Sequence, residues 1–378
     1  MTLLSHNKII PDPKPIGSYR ADDCIFLLKD LSNQIEEKGT SEREAAIQSG
    51  THYSEMLPIE YRPTKKYLDL FHQMLQQSAR KVALAVGTVA ELILHNRGEK
   101  IVIASLARAG TPIGVLIKRY LAAVHQLNLP HYSISIIRGK GFDTNAILYM
   151  LQQHPEREIQ FIDGWTGKGA ITKVLIEACQ EMKSRFGIEL NFDLAVLAVP
   201  GHCVQTFGTR EDFLIPSACL NATVSGLVSR TVHHPDLIGE SDFHGAKYYK
   251  EWKNEDLSYL FIDTISAFWN DIYKEAAERA EKIKNQSCKA TWQGLKSIKW
   301  IQEEYNIDDI NLIKPGVGET TRVLLRRIPW KILVDDLNNP NLAHILLLAE
   351  ERGVPVKEVK GLTYSCCGLI KPIKTHIS

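Results

Sequence analysis

The sequence reads as an α/β protein with two units, a larger one built on a parallel sheet and a smaller α/β one that follows it. Three observations predict this. Short β-branched runs alternate with stretches of helical period from Pro63 to Val199, an order that lays parallel strands side by side with helices over both faces. The polar, poorly periodic stretch Lys284 to Thr291 interrupts that order as a linker would, and a shorter α/β pattern follows it. The 378 residues suffice for two or three domains.

Taken in order, residues 1–60 read as an extension that packs on the core, 61–285 as the main domain and 300–378 as the second. From Pro63 to Arg97 the apolar residues Tyr67, Phe71, Leu75, Val82, Val86, Val89 and Ile93 recur every three or four positions, and Gly98 stops the run; this is one or two amphipathic helices. Strands are expected at Ile101–Ala104, Tyr132–Ile137, Ile159–Ile162 and Phe192–Val199, and helices at Ile113–Val124, Asp143–Gln152 and Ala170–Phe186. Charges of both signs interleave from Lys247 to Lys284 like a solvated helical face. Beyond the linker, helices near Thr320–Arg327 and Leu342–Arg352 flank a strand at Ile332–Val334, and Val354–Val359 leads into a turn-rich tail.

Composition excludes several classes. Lys and Arg total 45, Asp and Glu 44, and 44% of residues are hydrophobic, so wholesale disorder, collagen-like fibres and histone-like charge are ruled out. The longest apolar run, Val82–Leu94, is too short to span a bilayer and contains Glu91. With no secretory pattern, a cytoplasmic protein without membrane contact is expected. The seven cysteines form no C-x-x-C pair and are expected as reduced thiols; the vicinal pair Cys366-Cys367 is expected to pack rather than bond. His202-Cys203 and His233-His234 lack zinc-ligand spacing.

In an open parallel sheet, ligands bind beyond the carboxyl ends of the strands, which directs attention to three loops. The first, Ala104 to Pro112, contains Arg108, Ala109 and Gly110; small residues let backbone N–H groups approach a ligand, and Arg108 offers a fork suited to phosphate oxygens. The second, Arg138 to Asp143, sets Arg138 and Lys140 among glycines. The third, Asp163 to Gly169, contains Thr166, Gly167, Lys168 and Gly169 ahead of a helix, whose free N–H groups favour an anion. Asp163 and Gly169 occupy the places where a Walker A loop needs Gly and Ser or Thr, so a triphosphate hydrolase is disfavoured.

The order of these loops, over residues 101–200, resembles the type I phosphoribosyltransferase family. The resemblance implies a transferase-like fold and transfer of ribose 5-phosphate from phosphoribosyl pyrophosphate (PRPP) to a base-like acceptor. Arg108, Arg138, Lys140 and Asp163 would be catalytic, and Ala109, Gly110 and Thr166 to Gly169 would hold the substrate phosphates. Magnesium would be bound through PRPP near Asp163. Gly164 stands where that family has a second acid. The acceptor would meet His202 and Cys203.

The segments Gly50–Met56, Arg210–Pro216 and Asn221–Thr231 resemble more closely a bacterial family of tellurite-resistance and stress operons. That family joins such a fold to a C-terminal Pelota-type RNA-binding domain and also carries the label cysteine protease StiP. Gly318, Glu319, Thr321 and Arg322 resemble the loop-to-helix start by which Pelota-type domains grip RNA, and from Gly318 onward nine cations before the final histidine face six acids. Structured RNA is therefore an expected partner, and a homodimer is left open. Two alternatives to a transferase stay open: a non-catalytic RNA-binding or regulatory protein with a degenerate transferase domain, and a cysteine protease. The protease reading needs a thiolate, a histidine in reach and an oxyanion hole; His202 and Cys203 are adjacent, and side chains of sequence neighbours in extended chain point apart.

Overall fold

The structure, a computed structural model, describes residues 9–286 and 289–371. Its centre is a six-stranded sheet of β1 (Ile25–Leu27), β2 (Ile101–Leu106), β3 (His131–Ile134), β4 (Glu158–Trp165), β5 (Leu194–Ala198) and β6 (Phe207–Thr209) in the order β1-β3-β2-β4-β5-β6. Every pair is parallel, with Ala104 opposite Phe161 and Leu194 opposite the same residue. The expected sheet is present, with six strands rather than four: the N-terminal extension supplies β1, and β6 is too short to stand out as a run.

Alternation along β2 sends Ile101 and Ile103 to one face and Val102 and Ala104 to the other. The first face is covered by α1 (Lys65–Arg97), α2 (Thr111–His125), α5 (Ser258–Ser266) and α6 (Trp269–Asn285), the second by α3 (Thr144–Gln153) and α4 (Ala170–Phe186). The periodic stretch after Pro63 is thus one continuous helix, capped by Gly98 at φ 69°. α4 begins and ends where its flanking glycines place it: Gly169 and Gly187 are both left-handed, at φ 73° and 69°. The run Tyr132–Ile137 breaks at Ser135, whose hydroxyl leaves the strand to bond the Thr231 hydroxyl at 2.8 Å and His244 Nδ1 at 2.9 Å.

The C-terminal unit has a four-stranded mixed sheet of β7 (Ile313–Pro315), β8 (Pro329–Val334), β9 (Val356–Glu358) and β10 (Cys366–Ile370), ordered β7-β10-β8-β9. The tail expected to be turns therefore lies inside this sheet. The run Cys-Cys-Gly-Leu-Ile is short and contains glycine, and its partners are strands distant in sequence. α7 (Gln293–Tyr305) covers one face through Ile298 and Ile301, while α8 (Val317–Arg326) and α9 (Ala343–Glu351) cover the other. Cys366 and Cys367 point to opposite faces and are both buried, so they pack as expected. Val317 and Leu324 of α8 join the same apolar cluster as α1, which makes the two units share a core. No helix among the described residues is long and apolar enough to cross a membrane.

Candidate functional site

The first and third loops singled out in the sequence meet at the carboxyl end of the sheet, beneath the C-terminal unit. Arg108 follows β2. Its guanidinium is spent inside the protein, at 2.9 Å from the Glu60 carboxylate and 3.0 Å from the Val228 carbonyl. Beside it, Ala109 and Gly110 form the tight turn into α2, where the Gly110 N–H donates to the Leu106 carbonyl at 3.0 Å. On β4, Asp163 is 8% exposed, and burial pushes its carboxyl up to about 7, against the opposing pull of the Gly164 N–H and the Arg322 charge. Arg108, Asp163, Trp165, Ser217, Asn221 and Arg322 line a cavity of about 280 Å³. Ser217 is buried there with its hydroxyl unpartnered.

The Gly-rich turn after Trp165 does not present a free anion cradle. The Thr166 N–H is taken by the Ala198 carbonyl at 3.1 Å. Tyr364 Oη donates to the Gly167 carbonyl at 3.2 Å, and Lys168 Nζ donates to the Ile310 carbonyl at 2.7 Å. Gly169 lies against the Trp292 ring, where a Cβ would collide with it. The second loop lies elsewhere on the rim. Arg138 is exposed, with its backbone N–H on Tyr53 Oη at 2.8 Å and its guanidinium 5.6 Å from the Tyr53 ring centre. Lys140 Nζ is 3.3 Å from both the Glu55 carboxylate and His233 Nδ1.

His202 and Cys203 come after β5. Trp292 N–H donates to the His202 carbonyl at 3.0 Å, and Gly294 N–H to the Gly201 carbonyl at 3.0 Å. Cys203 is 2% exposed, and burial raises its thiol above the ordinary value. Its Sγ meets the Thr166 hydroxyl at 3.4 Å and the Gly167 carbonyl at 3.8 Å rather than an imidazole. The other described thiols, Cys24, Cys179, Cys219, Cys366 and Cys367, are also buried.

Gly318 and Arg322 turn toward the first unit, Glu319 pairs with Arg322, and Thr321 is buried within the C-terminal unit. A Cβ on Gly318 would lie 3.3 Å from Ala218 Cβ. Thr321 is fully buried, its hydroxyl donating to the Val317 carbonyl at 2.7 Å and lying 3.0 Å from His344 Nε2. Arg322 pairs with Glu319 at 2.9 Å, donates from Nε to the Ala218 carbonyl at 3.1 Å and stacks over Trp165 at 4.9 Å. Of the residues expected to grip RNA, Arg322 therefore completes the inner cavity, because α8 packs its first turn on the residues that follow β6. Sequence reasoning missed Glu60, Arg230, Lys314 and Trp165. Tyr53 and Arg230 lie within segments already marked as unusual, 50–56 and 221–231, which was the available signal.

A parallel α/β domain whose strand-end loops are roofed by a small mixed-sheet domain defines a two-domain protein with its candidate site at the joint. Residues 17–266 match the family described as tellurite-like stress resistance cysteine protease StiP, and residues 292–372 match the PELOTA RNA binding domain. The chain belongs to the StiP family. It is similar to a protein of Acinetobacter baylyi named cysteine protease StiP, with 32% identity over 364 residues that cover 91% of this chain and 90% of the relative.

These matches overturn the transferase expectation: both the family and the relative are named as a cysteine protease and not as a phosphoribosyltransferase. The geometry agrees with the correction. The Arg108 fork is engaged by Glu60 and Val228, Thr166 to Lys168 are engaged by β5 and the C-terminal unit, and Asp163 has Gly164 beside it. PRPP as substrate and magnesium as its companion rest on that chemistry and fall with it.

Proposed function

We propose that this StiP-family chain is an RNA-binding regulatory protein, in which the C-terminal domain holds RNA and the first domain is a transferase-like scaffold without the transfer chemistry. The observation that carries the reading is a cation–aromatic platform on the domain that matches the PELOTA RNA binding domain. Lys331 Nζ lies 5.1 Å from the Tyr305 ring centre and 5.6 Å from that of Trp330, and Lys357 Nζ lies 5.5 Å from Tyr305. Aromatic rings stack on bases of any sequence while nearby lysines meet the phosphates. This surface takes the place of residues 318–322, which face inward. Anisotropy of a fluorescein-labelled single-stranded RNA with the full chain tests it. Trp330→Ala should weaken binding by about 1–3 kcal/mol; equal binding by the variant removes the platform, and no binding by the wild type removes the reading.

The family description favours a second reading, thiol-dependent proteolysis, for which we take Cys203 as the candidate nucleophile. Cys203 lies beside the first turn of α4 and lines a cavity of about 740 Å³ shared with Thr172, Thr206 and Trp292. A helix N-terminus and nearby hydroxyls stabilise a thiolate once the site opens, whereas burial holds the closed thiol protonated. Iodoacetamide labelling followed by peptide mapping, together with cleavage of an unfolded protein substrate, tests this. Cys203→Ser should abolish cleavage; persistence of cleavage in the variant, or its absence in the wild type with and without RNA, rejects this reading.

A further inference from the structure

A row of cations that neither reading assigns crosses the joint between the domains. In the first domain, Arg138 and Arg230 flank one ring: their guanidinium carbons lie 5.6 Å and 5.2 Å from the centre of Tyr53. Arg230 is anchored by backbone alone, donating to the carbonyls of Tyr53 and Met56, and its Nε is buried without a partner. At the joint, the Lys168 ammonium reaches from the first domain to the carbonyls of Ile310 and Ile313 at 2.7 and 3.4 Å, which brings it beside Lys314 of β7. Among the described residues, Arg138, Arg230, Lys168 and Lys314 have no carboxylate within 4.0 Å, in contrast to Arg108 and Lys140.

Burial is the main influence on these groups, and their neighbouring cations act in the same direction. Burial and then Lys314 push Lys168 down to about 8, with Arg138 adding to it. Burial, and after it Arg43, Arg108 and Arg138, push Arg230 down to about 10. Lys314 is lowered by burial and by Arg327 and Arg138, against the pull of Glu319. Like charges gathered here, with Glu319 and Asp309 as only partial counter-charges, are relieved further by a polyanion, and their spread over two domains exceeds what one phosphate group meets.

We propose that this row is a phosphate track along which one RNA strand passes from Lys314 and Arg327 of the C-terminal domain, over Lys168, to Arg138 and Arg230 of the first domain. The proposal rests on the RNA-binding reading and deepens it, since the first domain then contributes to affinity and not the C-terminal domain alone. Phosphate contacts act through counterion release, so each one adds close to a unit to the salt dependence of binding. Arg138 is the probe of choice, because it is exposed and its backbone N–H, which bonds Tyr53, is untouched by substitution.

The experiment is anisotropy of a fluorescein-labelled 20-nucleotide single-stranded RNA with the full chain over a series of sodium chloride concentrations, for wild type, Arg138→Glu, Lys314→Glu, Arg138→Lys and Trp330→Ala. Each reversal should raise Kd roughly 10-fold and lower the slope of log Kd against log salt by about one, while Arg138→Lys stays near wild type. The track is overturned if both reversals, with unchanged thermal midpoints, bind RNA with wild-type affinity and slope while Trp330→Ala is weakened; the RNA-binding reading then survives alone. Absence of RNA binding by the wild type strikes both. Inorganic tripolyphosphate separates a strand from a small anion: if the reversals lose tripolyphosphate yet keep RNA, the row is a small-anion site and the proposal fails.

Discussion

At the scale of single residues, Asp163 is the group whose chemistry the fold changes most informatively. An exposed aspartate ionises near 3.8, whereas this one keeps its proton up to about 7 because burial penalises the charge more than the Gly164 N–H and Arg322 favour it. Between those two values the folded chain holds one more proton than the unfolded chain, so this residue makes stability fall as pH rises, by about 1.4 kcal/mol per unit. Asp163→Asn keeps the acceptor for Gly164 and abolishes the titration. Urea unfolding at pH 5.0 and 6.5 should therefore show a loss in wild type that exceeds the loss in the variant by about 2 kcal/mol; equal losses would mean that the carboxyl titrates normally. The residue stood out through the resemblance to the transferase family, as the acid that would meet the ribose. Its protonation was not legible there, because the cavity it lines is closed by Arg322, a residue of the other domain 159 positions away in the chain.

At the scale of elements, local signals were faithful where the chain punctuates itself. Ala170–Phe186 was readable to the residue because a left-handed glycine closes each end, and Lys65–Arg97 was readable because its large apolar residues keep a helical period, although every position from Val82 to Ala90 is buried. Strands built from few residues were less legible. Ile25–Leu27 and Phe207–Thr209 have three residues each and form the two edges of the sheet, and no period can be counted over three positions. Cys366–Ile370 is an interior strand whose register is set by Ile313–Pro315 and Pro329–Val334. The helix start at Val317 was anticipated within a few residues, yet the direction in which it points was not, because Arg322 is oriented by Ala218 and Trp165 of the other domain.

At the scale of the whole molecule, one half-buried aspartate ties the domains. Asp212, after β6, accepts the N–H of Val317 at the start of α8 and the N–H of Ser365 before β10, both at 2.9 Å. It thus serves as a cap supplied from outside to a helix whose own Gly316 has no side chain to offer. Asp212→Ala would leave two donors unpartnered and should cost about 1–3 kcal/mol for each, and Asp212→Asn, which keeps one acceptor oxygen, should lose less. Calorimetry should resolve the single unfolding transition expected of a shared core into two for the alanine variant; a single transition at the wild-type midpoint would show that the apolar contacts of α8 suffice without Asp212. The sequence by itself determined the alternation of strand and helix, the central parallel sheet and the division into a larger part and a C-terminal one, since these follow from local period, turn residues and chain order. Only the tertiary structure decided that Arg108 is engaged by Glu60, that Cys203 is shielded, that residues 318–322 face inward and that Arg138, Arg230, Lys168 and Lys314 form one cationic row. Each of those facts depends on groups far apart in the chain being brought within a few ångströms, and period and composition carry no information about such distances.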